Sequence, residues 1–151
     1  MPTQLSEIYD LFMQTVTDYR LIDLFNSSQP DFENYLEAWL IYSIADFDIC
    51  DQSLVYDDGT KIFSVTLTIP NKVILTKLMM KYWLQKAVND ITQMNLHVTD
   101  RDFKVASEAQ NLREKVTYLN IVKEECSQSL INYGYKRAEW AEWYTQDFSG
   151  I

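Results

Sequence analysis

The chain has 151 residues, 47% apolar and 23% charged, with 22 acidic against 13 basic side chains and a net charge of −9. That length suits one domain that buries its own core without a metal or disulfide, and that composition excludes wholesale disorder. A duplex is gripped by clustered Lys and Arg, so the acidic balance excludes a DNA- or RNA-gripping protein, although an acidic lining lets DNA slide past without sticking.

The opening residues, Met1 to Glu7, lack a basic region followed by an apolar run, so no secretory signal is expected. Leu5, Ile8, Phe12, Val16 and Tyr19 then recur at helical spacing, with Leu11 widening the stripe. Thr3 or Ser6 is the candidate cap. Leu21, Ile22, Leu24 and Phe25 run into Asn26-Ser27-Ser28-Gln29-Pro30, a stop-and-restart signal. Pro30 suits the first turn of a new helix, and Asp31 and Glu33 favour its positive end. Phe32, Tyr35, Leu36, Trp39, Leu40, Ile44 and Phe47 give that second helix a strongly helical pattern. The longest nearly apolar stretch, residues 38–45, is far short of the ~20 residues of a membrane span, so a soluble protein is expected.

The pattern then changes. Asp57-Asp58-Gly59 signals a turn, and Phe63, Val65, Leu67 and Ile69 alternate with Ser64, Thr66 and Thr68. This predicts a strand over 61–67, paired with 53–56 as a hairpin. An isolated hairpin is marginal in water, so it must rest on the helices or on a neighbouring subunit's strand. Pro70 and Asn71 open a third helix reaching about Thr92, apolar around most of its circumference and therefore central. A polar linker over 93–106 follows. Ser107-Glu108-Ala109-Gln110 matches a capping box for a fourth helix, whose stripe runs through Leu112, Val116, Leu119, Cys126, Leu130 and Tyr133 to a stop at Gly134. The tail, 135–151, holds Tyr135, Trp140, Trp143, Tyr144 and Phe148 between charged residues, and a short helix over 137–146 is possible on spacing.

Chemistry finds little purchase. One histidine, His97, and two separated cysteines, Cys50 and Cys126, do not build an N/S metal site, and their spacing fits a reducing compartment. With glycines only at 59, 134 and 150 there is no phosphate-cradling loop and no nucleophile elbow. Asp46, Asp48, Asp51, Asp57 and Asp58 crowd one segment, but Ile49 and Cys50 break the alternating spacing of a calcium loop and its glutamate is missing. Asp100-Arg101-Asp102 reads as charge at a helix start. We therefore expect no enzyme, no cofactor and no metal. The aromatic tail either folds back over its own domain or acts as a docking arm, since Trp and Tyr dominate interface energetics.

The second helix from Asp31-Phe32-Glu33 through Ala45 and Phe47 to Cys50, the stretch Met79-Met80-Lys81-Tyr82-Trp83-Leu84, and Asp102-Phe103-Lys104, Ser107, Ala109, Leu112 and Asn132-Tyr133-Gly134-Tyr135 carry a likeness. These runs resemble a family of small virion proteins of tailed bacteriophages and prophages of Gram-positive hosts. The resemblance implies a head–tail connector, or neck adaptor: a helical bundle with an extra hairpin, arranged as a homo-oligomeric ring, commonly a dodecamer, beneath the portal protein. It implies portal and other neck or tail proteins as partners, DNA passing through the channel without sequence-specific binding, no membrane, and residence in the virion after assembly in the host cytoplasm.

Together these readings predict a mainly α fold: a four-helix bundle over residues 1–134 with a β-hairpin insertion at about 53–67, and an extended aromatic C-terminal arm over 135–151. The interface residues expected toward the portal or a neighbouring subunit are Trp140, Trp143, Tyr144 and Phe148, with Tyr135, Lys136 and Arg137 at the arm's root. The rival readings are another tail or baseplate component, and a small helical regulator that binds a host protein.

Overall fold

The computed structural model describes the backbone of residues 1–97 and 102–137, and the side chains of 1–93 and 110–137. The chain is mainly helical, with five helices and one two-stranded antiparallel sheet: α1 (Leu5–Thr15), α2 (Tyr19–Ser27), α3 (Gln29–Asp46), β1 (Tyr56–Asp57), β2 (Ile62–Phe63), α4 (Ile69–His97) and α5 (Asp102–Arg137).

The expected first helix is two. α1 buries Leu5, Ile8 and Phe12 completely, each worth about 1.5–3 kcal/mol of transfer from water. It stops at Thr15, where the β-branched run Thr15-Val16-Thr17 disfavours another turn and Val16 is extended. Asp18 then caps α2 by accepting a 2.9 Å bond from the Arg20 amide. Val16 stays in the core, but Tyr19 is 78% exposed and does not extend the buried stripe. Neither expected cap serves α1. Glu7 accepts from the Gln4 amide at 3.0 Å, while the Thr3 hydroxyl is buried and accepts from the Leu67 amide at 2.9 Å.

α3 begins as its sequence predicts, with Ser28 accepting from the Asp31 amide and Pro30 in the first turn. It buries Phe32, Leu36 and Leu40. α4 is the central helix: it packs against α1, α3 and α5, and buries Ile74, Leu75, Leu78, Met79, Leu84 and Val88. α5 lies along α4 through Leu119, Val122 and Cys126.

Two boundaries depart from the sequence reading. The backbone of 93–97 continues α4 and that of 102–106 already belongs to α5, so most of the expected linker is helical and Ser107 lies inside α5 rather than at its start. Nor does Gly134 end the last helix, which runs on to Arg137. Gly134 sits against Ile49, whose Cδ1 would lie 3.8 Å from an added Cβ, and none of the described glycines has a positive φ.

The sheet is shorter than predicted: Tyr56 pairs with Phe63 and Asp57 with Ile62. Its support comes from the chain's own N-terminus. Gln4 bridges Ile62, the Phe63 amide donates to the Thr3 carbonyl at 2.8 Å, and the Thr3 amide donates to the Val65 carbonyl at 3.2 Å. Phe63 and Leu67 are buried, as alternation requires, but Ile69 is 76% exposed and opens α4 instead.

Candidate functional site: the α5 terminus and a cationic cavity

The predicted arm root sits on the last turn of α5, where Tyr135, Lys136 and Arg137 are exposed. Sequence distance hides what holds it there. The Arg137 guanidinium donates to the Ile49 carbonyl at 2.7 Å and lies 5.8 Å from the Tyr133 ring centroid. Tyr133 packs edge-on against buried Phe47 at 5.0 Å, and its hydroxyl donates to the Asp51 carboxylate. Asp51 also accepts from Asn71 Nδ2 at 3.0 Å, and the Asn71 amide group reaches Gln52 Oε1 at 2.8 Å. One short network therefore joins the end of α5, the loop after α3 and the start of α4. It shifts both acids: the bonds from Tyr133 and Asn71 hold Asp51 below the usual carboxylate range, while burial and the Asp51 partner push Tyr133 up to about 12. Beside this junction lies a groove of about 500 Å³ floored by Ile49, Leu130, Ile131 and Tyr135, with Asp46 and Asp48 on its lip.

Trp140, Trp143, Tyr144 and Phe148, with the possible helix over 137–146, lie outside the described residues. So do the side chains of His97 and of the Asp100-Arg101-Asp102 run.

The acidic segment is dispersed over separate partners. Asp46 bonds to Lys81 and Tyr82, Asp57 accepts from the Thr60 amide at 2.6 Å, and Asp58 pairs with Lys61. Burial would raise Asp46, but its bonds to Lys81 and Tyr82 together outweigh that and hold it low. Among the described residues no three His, Cys, Asp or Glu side chains group to hold a metal.

Sequence reading missed two polar features. Glu37, only 9% exposed on α3, takes both carboxylate oxygens to Lys61 Nζ at 2.9 Å and accepts from the Tyr56 hydroxyl at 2.9 Å. The hairpin is thereby fastened to α3, and Lys61 holds a left-handed φ of 56° to do it. A glutamate beside Leu36 in an otherwise apolar series was the available signal. The second is a cavity of about 580 Å³ bounded by the α1–α2 connection, α2, α3, α4 and α5. Tyr35 and Trp83 give it aromatic walls, and Arg20, Lys86 and Lys115 give it cations. Lys86 is paired with Asp90 at 2.9 Å. Among the described residues the Arg20 and Lys115 side chains make no hydrogen bond or ion pair. No helical period announces this grouping, because it draws on four helices.

No helix among the described residues is long and apolar enough to cross a membrane. The chain matches no protein-family model, no curated protein and no solved structure.

Proposed function

We propose that this protein is a structural subunit of a tailed-phage neck, a head–tail adaptor that binds the portal protein and extends the DNA channel as part of a homo-oligomeric ring. On this reading α1, α3, α4 and α5 act as a four-helix bundle carrying the β insertion. Residues 138–151 are the arm that reaches a neighbour, and the protein has neither catalysis nor cofactor. It resides at the head–tail interface of the virion after assembly in the host cytoplasm.

The observation that carries the reading is the clamp at Arg137. A fixed root lowers the ordering cost of docking an arm, and the bond to the Ile49 carbonyl holds this one. Four large aromatics, Trp140, Trp143, Tyr144 and Phe148, follow within eleven residues of that anchor, the residue types that dominate interface energetics. The net charge of −9 suits a passage from which DNA must be released. The family likeness noted above supplies the identity of the assembly.

The test removes residues 138–151, leaving Arg137 and its contact in place, and measures co-sedimentation with portal rings of the same particle. Loss of co-sedimentation is expected. Undiminished binding would refute the arm, and a particle reconstruction without this chain at the neck would refute the assignment.

A further inference from the structure

The two cavities differ in charge, and that difference selects an occupant for one of them. The groove beside the α5 terminus carries Asp46 and Asp48. Asp46 is already neutralised by Lys81, and Asp48 has no partner among the described residues. The larger cavity has three cations and two carboxylates: Asp90 is paired with Lys86 and Asp18 accepts from the Arg20 backbone amide, which leaves the Arg20 and Lys115 side chains without described partners, against Tyr35 and Trp83. In a chain with 22 acidic and 13 basic side chains, two unpaired cations facing one aromatic-walled cavity call for an acidic, aromatic ligand. The chain contains such a segment. Residues 139–148 read Glu-Trp-Ala-Glu-Trp-Tyr-Thr-Gln-Asp-Phe, with three carboxylates, four aromatics and no cation.

We propose that residues 139–148 of one copy dock in the Arg20–Lys115 cavity of a second copy, making a head-to-tail contact between subunits. Trp140, Trp143 or Tyr144 enters against Tyr35 and Trp83, while Glu139 and Glu142 meet Arg20 and Lys115. Reach keeps the Glu139-to-Tyr144 part of that block from the Lys115 of its own copy. From Lys115 to Arg137 is 22 residues (137 − 115) of continuous helix, a separation of roughly 33 Å at 1.5 Å per residue. Tyr144 lies 7 residues (144 − 137) beyond the anchored Arg137, and a fully extended chain of that length spans at most about 25 Å. The groove at the α5 terminus is near enough, but its Asp48 lip repels Glu139 and Glu142. A contact that joins the tail of one copy to a different patch on the next is heterologous, the kind that closes rings or extends filaments.

This inference rests on reading residues 138–151 as an arm, and names an acceptor for it other than the portal. The test uses full-length protein without portal, followed by sedimentation velocity over a concentration series. Full-length chain is expected to self-associate. The double variant Arg20→Glu/Lys115→Glu and the variant lacking 138–151 are each expected to sediment as monomers, with helical circular dichroism unchanged and self-affinity at least about tenfold weaker. Mixed together, the two variants should form a dimer and nothing larger, because one supplies only a tail and the other only a cavity. Adding Glu139→Lys/Glu142→Lys to the cavity double variant should restore self-association. Three results overturn the inference: a full-length chain that stays monomeric, self-association indifferent to Arg20 and Lys115, or a mixture that forms no dimer, as a tail lodged in its own copy would give. Portal co-sedimentation is a separate readout. If it needs the tail while self-association does not, the portal-binding arm stands and this inference falls; the opposite pattern refutes the arm's role at the portal and leaves this inference standing.

Discussion

Arg137 and Ile49 meet across 88 positions of sequence, guanidinium to carbonyl at 2.7 Å, and so close the far end of α5 over the loop that follows α3. Gly134 ordinarily invites a helix to stop. Here the helix continues for another turn because that bond and the Tyr133 ring hold it down. Replacing Arg137 with Ala removes a charge-assisted bond at an exposed position, at a cost of about 1 kcal/mol in urea denaturation. Amide exchange over 134–137 should rise more than elsewhere in α5. Equal exchange in the two proteins would show that the last turn stands without the clamp.

The Tyr133–Asp51 bond sets opposite limits on the pH range of stability. Asp51 is more acidic folded than unfolded, so its contribution is present above the unfolded carboxyl value and disappears as acid protonates it in the fold. Tyr133 is held up to about 12 from an ordinary value near 10, so its contribution is complete below pH 10 and disappears as pH rises from 10 toward 12. Tyr133→Phe should therefore flatten both limbs of the stability profile, the alkaline limb between pH 10 and 12 and the acid limb below about pH 4. A profile that shifts uniformly at every pH would mean the hydroxyl acts only through packing.

Lys61 combines a strained backbone with an ion pair to nearly buried Glu37, and two substitutions separate the effects. Lys61→Ala and Lys61→Gly both strand the Glu37 carboxylate. Only Gly relieves the left-handed φ of 56°. The alanine variant should be less stable than the parent, because Glu37 loses its cation and keeps only the Tyr56 hydroxyl. The glycine variant should be about 1 kcal/mol more stable than alanine. Chemical denaturation reads both, and equal stabilities would show that the backbone at this site is unstrained.

Asn71 is fully buried and donates to both Asp51 and Gln52. Asn71→Asp keeps the shape but replaces the donor with a second carboxylate 3.0 Å from Asp51. A loss of about 3 kcal/mol at pH 7 is expected, shrinking as pH falls toward about 4, because repulsion makes one carboxyl take a proton in the fold before it would in the unfolded chain. If acid does not recover stability relative to the parent, repulsion is not the cause.

The sequence by itself determined where the long helices lie and much of the faces they bury. The spacing from Phe32 to Phe47 predicted α3, the apolar girth of 73–91 predicted that α4 lies at the centre, and the alternation of Phe63 and Leu67 predicted their burial. Periodicity reports these things because it is local: each residue's face follows from its neighbours three or four positions away. Only the tertiary structure decided that α5 passes Gly134, that Asp46 and Asp51 find their partners on α4 and α5, and that Arg20, Lys86 and Lys115 line one cavity. Those outcomes depend on groups far apart in the chain, as Tyr133 and Asp51 are, 82 positions apart. A polar side chain's partner is whatever the packed helices bring within about 3 Å, and no short-range pattern encodes that distance.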